Sequence, residues 1–146
     1  CCGAHLDLHS FPTRRSSDRA GGQGSLAAWR AAHAGGPVAV YFWADWCPIC
    51  TAQQGSVSGL AEDWPVLTVA MQSGSPADVA GVLAERGLAW PTVVDADGAI
   101  SARYGLAGVP ALAVIDADGQ LRSVAVGYTT ALGMHLRLWW ARLVAA

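Results

Sequence analysis

Two cysteines separated by two residues are the side chains of this sequence best suited to chemistry. Cys47 and Cys50 belong to the run Trp46-Cys47-Pro48-Ile49-Cys50, which follows the β-branched and aromatic run Val38–Trp43. Two intervening residues allow both sulfurs to close a small disulfide ring, and helical spacing places them on the same side of a turn. The spacing therefore predicts a redox-active cysteine pair.

The residues around this pair predict a strand that leads directly into a helix. The run Val38–Trp43 is typical of a strand buried on both faces, and Pro48 suits the first turn of a helix that continues towards Leu60. Unpaired N–H groups at a helix start favour a thiolate there. We expect Cys47 to be the more exposed, attacking sulfur and Cys50 to be the sheltered sulfur that resolves the mixed disulfide.

A second candidate feature is Gly108-Val109-Pro110, immediately before a predicted strand at Ala111–Ile115. Proline at the first position of a strand removes no ladder hydrogen bond. If the Val109–Pro110 bond is cis, the backbone of Val109 is exposed and can pair with an extended substrate, although only about 5–6% of X–Pro bonds are cis. Val109 and Pro110 are therefore candidate substrate-binding residues.

The rest of the chain alternates strand and helix patterns, which predicts an α/β domain with a mixed sheet. The two Asp-Ala-Asp-Gly segments indicate turns and not calcium loops, and the second one predicts a hairpin. The tryptophans at 43, 90, 139 and 140 are predicted to pack in the core or at its edge. Besides the elements above, the predicted ones are a helix from Ser25 to Ala32, a strand Val66–Met71, a helix from Pro76 stopped by Gly87, a strand Thr92–Val94, helical turns at Ile100–Tyr104, a strand Leu121–Val126 and a helix Thr130–Val144.

Composition excludes two classes of protein. The 146 residues contain nine arginines, no lysine and eleven acidic residues, for a net charge of −2, so a strongly basic nucleic-acid surface is not expected. No apolar run approaches the roughly 18–20 residues that span a bilayer. His9–Asp18 resembles a translated sequencing-library adapter, a polar linker being the alternative. We therefore predict an artefact or disordered leader at 1–18, so the absence of a signal or anchor there is weak evidence, and a single domain at 19–146.

The run Phe42–Cys50, the Val109-Pro110 pair leading into a strand and Gly127 after the last strand resemble the thioredoxin fold. The 60 residues that separate Cys50 from Pro110 suit the TlpA and redoxin branch, which inserts a helix and a strand. The segments Val69–Gly74 and Val126–Thr130 are similar to those of bacterial membrane-anchored disulfide oxidoreductases of the suppressor-of-copper-sensitivity D type. The resemblance covers residues 36–144.

The resemblance implies a thiol–disulfide oxidoreductase in the bacterial periplasm, tethered to the inner membrane or free. Cys47 matches the attacking cysteine, Cys50 the resolving one, Pro110 the cis-proline and Trp46 the aromatic residue beside the site. The partners implied are protein thiols or disulfides and a redox partner protein. We expect a monomer with no organic cofactor and no metal.

Two departures from the family concern proton transfer. Thioredoxins carry a buried acid where this sequence has Tyr41, and TlpA-like proteins carry Glu where it has Gln53. Water or Asp45 would then have to take the proton of Cys50.

Other functions of the cysteine pair stay open at this stage. A periplasmic copper carrier would hold Cu(I) through both thiolates, although carriers of this fold usually add a histidine, and none lies between Asp45 and Gly133. A zinc half-site, a structural pair, a peroxidase and a redox-inert interaction domain are the remaining alternatives. His33 and His135 are far from the pair in sequence, and His135 is predicted to be a surface or core residue.

Overall fold

The computed structural model describes residues 29, 31–33 and 35–144, and its elements follow the predicted order. Of the predicted helix from Ser25 to Ala32, residues 29, 31 and 32 are helical; its other residues, and the predicted leader at 1–18, lie outside the described part of the chain. The elements are β1 (Val38–Trp43), α1 (Pro48–Asp63), β2 (Val66–Met71), α2 (Pro76–Glu85), β3 (Thr92–Asp95), α3 (Ala99–Arg103), β4 (Ala111–Ile115), β5 (Leu121–Val126) and α4 (Ala131–Val144).

The strands form one mixed sheet in the order β3-β2-β1-β4-β5. Strand β1 runs parallel to β2, which in turn runs parallel to β3, while β4 is antiparallel to both β1 and β5. The predicted mixed sheet and closing hairpin are therefore confirmed. The inserted pair α2 and β3 extends the sheet at the edge beyond β2.

Helices cover both faces of this sheet, which explains the unbroken apolar run of β1. Every residue of β1 is buried, because its alternate side chains enter two separate core layers. Tyr41 and Trp43 lie in the layer beneath α1 and α4, while Phe42 packs edge-on against Tyr104 in the opposite layer, with ring centroids 5.0 Å apart.

The parallel pair β1 and β2 places two loops at the same edge of the sheet. The chain leaves β1 and reaches the start of α1 at Pro48, and it leaves β2 into a turn at Gln72–Gly74. Gln72 and Gly74 adopt positive φ angles of 48° and 93°, so the turn folds back beside the start of α1. The cysteine motif is thus built on a rigid sheet edge.

The two Asp-Ala-Asp-Gly segments are turns, as predicted, and each begins with a buried aspartate. Asp95 accepts hydrogen bonds from the backbone N–H groups of Ile100 and Ser101 and holds the first turn of α3. Asp116 accepts from the N–H groups of Asp118 and Gln120 and closes the β4–β5 hairpin. The same four residues therefore start a helix in one place and a hairpin in the other.

The prediction for the last helix is correct in its extent and wrong in part for its tryptophans. Trp43 and Trp90 are buried, but Trp139 and Trp140 are 60% and 54% exposed. Both lie on the side of α4 that faces away from the sheet, where Met134, Leu138 and Ala141 form the buried side. Among the described residues, no helix is both long and apolar enough to cross a bilayer.

Candidate functional site

Cys47 is the N-cap of helix α1, one residue before Pro48 at the first helical position. Its sulfur accepts a hydrogen bond from the backbone N–H of Cys50 at 3.3 Å. An N–H group at a helix start stabilises negative charge on the atom it contacts. The two cysteines are free thiols within reach of one another.

Both cysteines are buried, which differs from the prediction of an exposed and a sheltered sulfur. Cys47 is 5% exposed and Cys50 is 3% exposed. The Val109–Pro110 turn accounts for the low exposure of Cys47, because the carbonyl oxygen of Val109 lies 3.8 Å from its sulfur and accepts a hydrogen bond from the thiol.

The peptide bond between Val109 and Pro110 is cis, which meets the condition set from the sequence. Val109 is half-buried and Pro110 is buried. The carbonyl of Pro110 accepts a hydrogen bond from the N–H of Gly127 at 2.8 Å, which ties this turn to the end of β5. The structure thus brings the Val109–Pro110 turn against the cysteine motif, although Val109 lies 62 residues after Cys47 in the sequence.

Two apolar side chains form an exposed rim beside the buried sulfurs. Trp46 is 58% exposed and Ile49 is 49% exposed. The indole N–H of Trp46 donates to the carbonyl of Gln72 at 3.1 Å, so the ring is fixed although it is exposed. We call Trp46, Cys47, Cys50, Val109 and Pro110 together the redox end.

The loop before the cysteine motif is fixed by residues that the sequence analysis missed. The hydroxyl of Ser73 accepts from the N–H of Asp45 at 3.0 Å and donates to the carbonyl of Met71 at 3.0 Å. The Arg86 guanidinium donates to the carbonyl of Asp45 at 3.1 Å. A sequence signal exists for Ser73, because it lies two residues after the predicted strand Val66–Met71; none exists for Arg86.

Burial raises the pKa of Cys50 to about 12, and the adjacent Cys47 thiol adds to this rise. The backbone of Ala44 and the side chain of Tyr41 oppose it. Tyr41 is 1% exposed, and its hydroxyl has no hydrogen bond of ordinary geometry; burial first, and then the cysteine pair, raises its pKa. A phenol therefore stands beside the resolving thiol at the position where thioredoxins carry an acid.

Gln53 lies on the same buried side of α1 as Cys50, one turn further along. Its amide nitrogen donates to the carbonyl of Thr129 at 2.7 Å, whereas its amide oxygen is buried without a partner. The side chain thus links α1 to the segment that precedes α4. It adds no charge beside Cys50.

Within the described residues, no group of three or more His, Cys, Asp or Glu side chains is placed to hold a metal ion. His33 contacts the carbonyl of Trp29 through its ring nitrogen at 2.8 Å. His135 lies on α4, where its ring contacts the carboxylate of Asp63 at 3.1 Å. Neither histidine joins the redox end.

The fold and the cysteine pair match a known family. The Redoxin family profile matches residues 10–132, and the chain belongs to this family. A curated relative, the "Thioredoxin-like protein" of Haemophilus influenzae, is 31% identical over 106 residues, which cover 72% of this chain and 63% of the relative. The chain spans between 50% and 63% of the length of the curated relatives it matches.

Solved structures confirm the thioredoxin-like fold expected from the sequence. The exposed lipoprotein thioredoxin Etrx1 of Streptococcus pneumoniae superposes with a TM-score of 0.67 at 28% identity, over 76% of this chain and 89% of that one. A secreted disulfide oxidoreductase of Mycobacterium tuberculosis, described as homologous to E. coli DsbE, gives a TM-score of 0.58 at 27% identity, over 80% of this chain and 86% of that one.

Proposed function

We propose that this protein is a thiol–disulfide oxidoreductase in which Cys47 attacks and Cys50 resolves. One observation carries the proposal: the sulfur of Cys47 lies between the N–H of Cys50 at a helix start and the carbonyl of Val109 beside a cis-proline. A sulfur placed in this way can ionise and can meet an extended substrate that pairs with the Val109 backbone. The similarity to the secreted mycobacterial disulfide oxidoreductase supports this chemistry.

The reaction that we propose transfers two electrons and two protons between dithiol and disulfide. The Cys47 thiolate attacks one sulfur of a substrate disulfide, the substrate S–S bond breaks, and the departing sulfur takes up a proton. Cys50 then loses its proton and attacks the sulfur of Cys47. The mixed disulfide breaks, the second substrate thiol leaves, and a Cys47–Cys50 disulfide remains.

The order of the two steps follows from the different surroundings of the two sulfurs. Cys47 caps helix α1 and contacts the carbonyl of Val109, whereas burial raises the pKa of Cys50 to about 12. A thiol of such high pKa stays protonated near neutral pH and is a poor first nucleophile. Its attack becomes efficient only when the mixed disulfide places a sulfur beside it, as an intramolecular reaction.

We propose protein disulfides or thiols as substrates, with Trp46, Val109 and Pro110 forming the contact surface. The exposed face of the Trp46 indole supplies apolar area, and the Val109 backbone supplies sequence-independent hydrogen-bonding groups. A site of this kind accepts many extended segments. The direction of electron flow depends on the potential of the pair relative to that of its partner protein.

We also infer an extracytoplasmic location, because one structural neighbour is described as secreted and another as an exposed lipoprotein. The closer assignment to the suppressor-of-copper-sensitivity D type, with an inner-membrane tether, is part of this proposal. Fractionation of cells that express the full-length gene product tests it. Recovery in the cytoplasmic fraction would contradict the proposed location.

Reduction of insulin by dithiothreitol, followed by turbidity, tests the proposed activity. We expect the wild-type protein to accelerate precipitation and Cys47→Ser to return the rate to the uncatalysed background. Cys50→Ser should lose turnover but accumulate a mixed disulfide, visible as an adduct by mass spectrometry. Stoichiometric Cu(I) binding by a wild-type protein that has no turnover would contradict the proposal and support a metal carrier.

A further inference from the structure

Helix α4 is apolar on the side that faces away from the sheet as well as on the side that packs against it. Its outward side chains are 54–68% exposed at the five positions that we call the outer face of α4: Leu132, Leu136, Trp139, Trp140 and Leu143. A helix at a protein surface normally turns charged and polar residues outward. An exposed apolar face of this kind indicates an interaction surface that a partner molecule covers.

The spacing of these residues matches a helix–helix seam. Leu132, Leu136, Trp139 and Leu143 follow one another at intervals of four, three and four residues, which is the pattern of the two core positions in a coiled coil. These four positions are symmetric about the point between residues 137 and 138. An antiparallel copy of α4 would therefore place Leu132 opposite Leu143 and Leu136 opposite Trp139.

One flank of the seam carries both an acidic and a basic residue, so two copies of this flank can pair opposite charges. Asp63 at the end of α1 contacts His135 and remains 67% exposed at its side chain, while Arg142 is exposed two turns along α4. Asp63 and Arg142 border the same cleft as Leu136 and Trp139. In the antiparallel arrangement Arg142 of one copy faces Asp63 and His135 of the other, so each end gains one opposite-charge pair.

We propose that the outer face of α4 binds a second copy of this chain, forming an antiparallel twofold dimer. The interface is isologous, because each of its contacts occurs twice. No residue of the redox end belongs to α4. This inference departs from the monomer expected from the sequence and does not depend on the proposed redox function.

Sedimentation equilibrium of the whole chain at up to about 100 µM tests the dimer. We expect a mass of twice 15.1 kDa for the wild type. Leu136→Asp should raise the dissociation constant at least about thirtyfold, as expected for a central interface residue. Val126→Asp is the matched control, because Val126 is 66% exposed on β5 and should leave the dimer intact.

A charge exchange provides the second test, because it separates a dimer from other occupants of this face. Arg142→Asp and Asp63→Arg should each weaken association, and the double variant should restore it in part. A wild-type protein that stays monomeric at the highest concentration overturns the proposal. So does a monomer that binds anionic phospholipid vesicles through Leu136, since that result would assign the face to a membrane.

Discussion

The redox end and the outer face of α4 both expose large apolar side chains, but the two surfaces differ in the groups that lie among those side chains. Trp46 and Ile49 are about as exposed as Trp139 and Leu136. At the redox end the apolar rim surrounds a buried sulfur, a helix start and a turn with a cis-proline. On α4, within the described part of the chain, the apolar residues adjoin one another and Trp64, with Asp63, His135 and Arg142 beside them.

This difference shows that exposure alone does not assign a role to an apolar residue. The role depends on the atoms that lie between the exposed side chains. Reactive and hydrogen-bonding atoms indicate a catalytic site, whereas an unbroken apolar stripe indicates a surface for protein association. The contrast also means that association and sulfur chemistry can be tested independently. Variants on α4 should change assembly and leave sulfur chemistry unchanged, and variants at the cysteines should do the opposite.

The largest effect should come from comparing the two sides of α4. Leu138 is 0% exposed in the core, so Leu138→Ala should lower the free energy of unfolding by about 2–5 kcal/mol. Leu136→Ala should lower it by less than about 1 kcal/mol at protein concentrations of about 1 µM, where a dimer dissociates. Urea denaturation measures both; equal losses would mean that the outer face belongs to the monomer core.

A smaller effect should follow from removing the hydroxyl beside Cys50. The Tyr41 side chain lowers the pKa of Cys50, so Tyr41→Phe should slow release of substrate from the mixed disulfide by about threefold or less. Stability should change little, because the hydroxyl makes no hydrogen bond of ordinary geometry. Stopped-flow fluorescence measures the release, and the control Tyr104→Phe removes a buried hydroxyl from the opposite core layer. An unchanged rate would remove Tyr41 from the mechanism.

An effect confined to alkaline pH should appear in the stability of the reduced protein. Burial raises the pKa of Cys50 from 9.0 to about 12, so the unfolded chain loses this proton at lower pH than the folded one. The contribution to stability is complete below about pH 9 and is lost as pH rises towards 12. The oxidised protein has no thiol at Cys50 and lacks this contribution. The buried tyrosines Tyr41 and Tyr104 are present in both the oxidised and the reduced protein, so they do not account for a difference between the two. Melting temperatures of the two states should therefore diverge above pH 9; parallel curves would contradict the assignment.

The sequence predicted best those elements whose pattern is local. Strands β4 and β5 have the predicted bounds because short apolar runs are delimited by Pro110, by an Asp-Gly turn and by Gly127. Strand β3 extends one residue further than predicted, to Asp95, because Asp95 pairs with Met71 before its side chain holds α3. An aspartate within a turn signal gives no indication of that pairing.

The sequence predicted the cysteine pair and its proline but not the contacts that depend on distant segments. The bonds from Ser73 and Arg86 to Asp45 join residues 28 and 41 positions apart. The exposure of Trp139 and Trp140 was missed for a related reason. Their spacing fits a helix that buries either side, and only the position of the sheet determines which side faces outward.

The bonds from Ser73 and Arg86 to the Asp45 backbone bear on the exchange that we propose with protein substrates. They hold the turn before Cys47 in one conformation, so binding of a substrate would cost little conformational entropy for ordering the nucleophile. Under the proposed function, substrates of unrelated shape would then meet the sulfur in one position, and selectivity among them would arise from contacts with the exposed rim rather than from the turn.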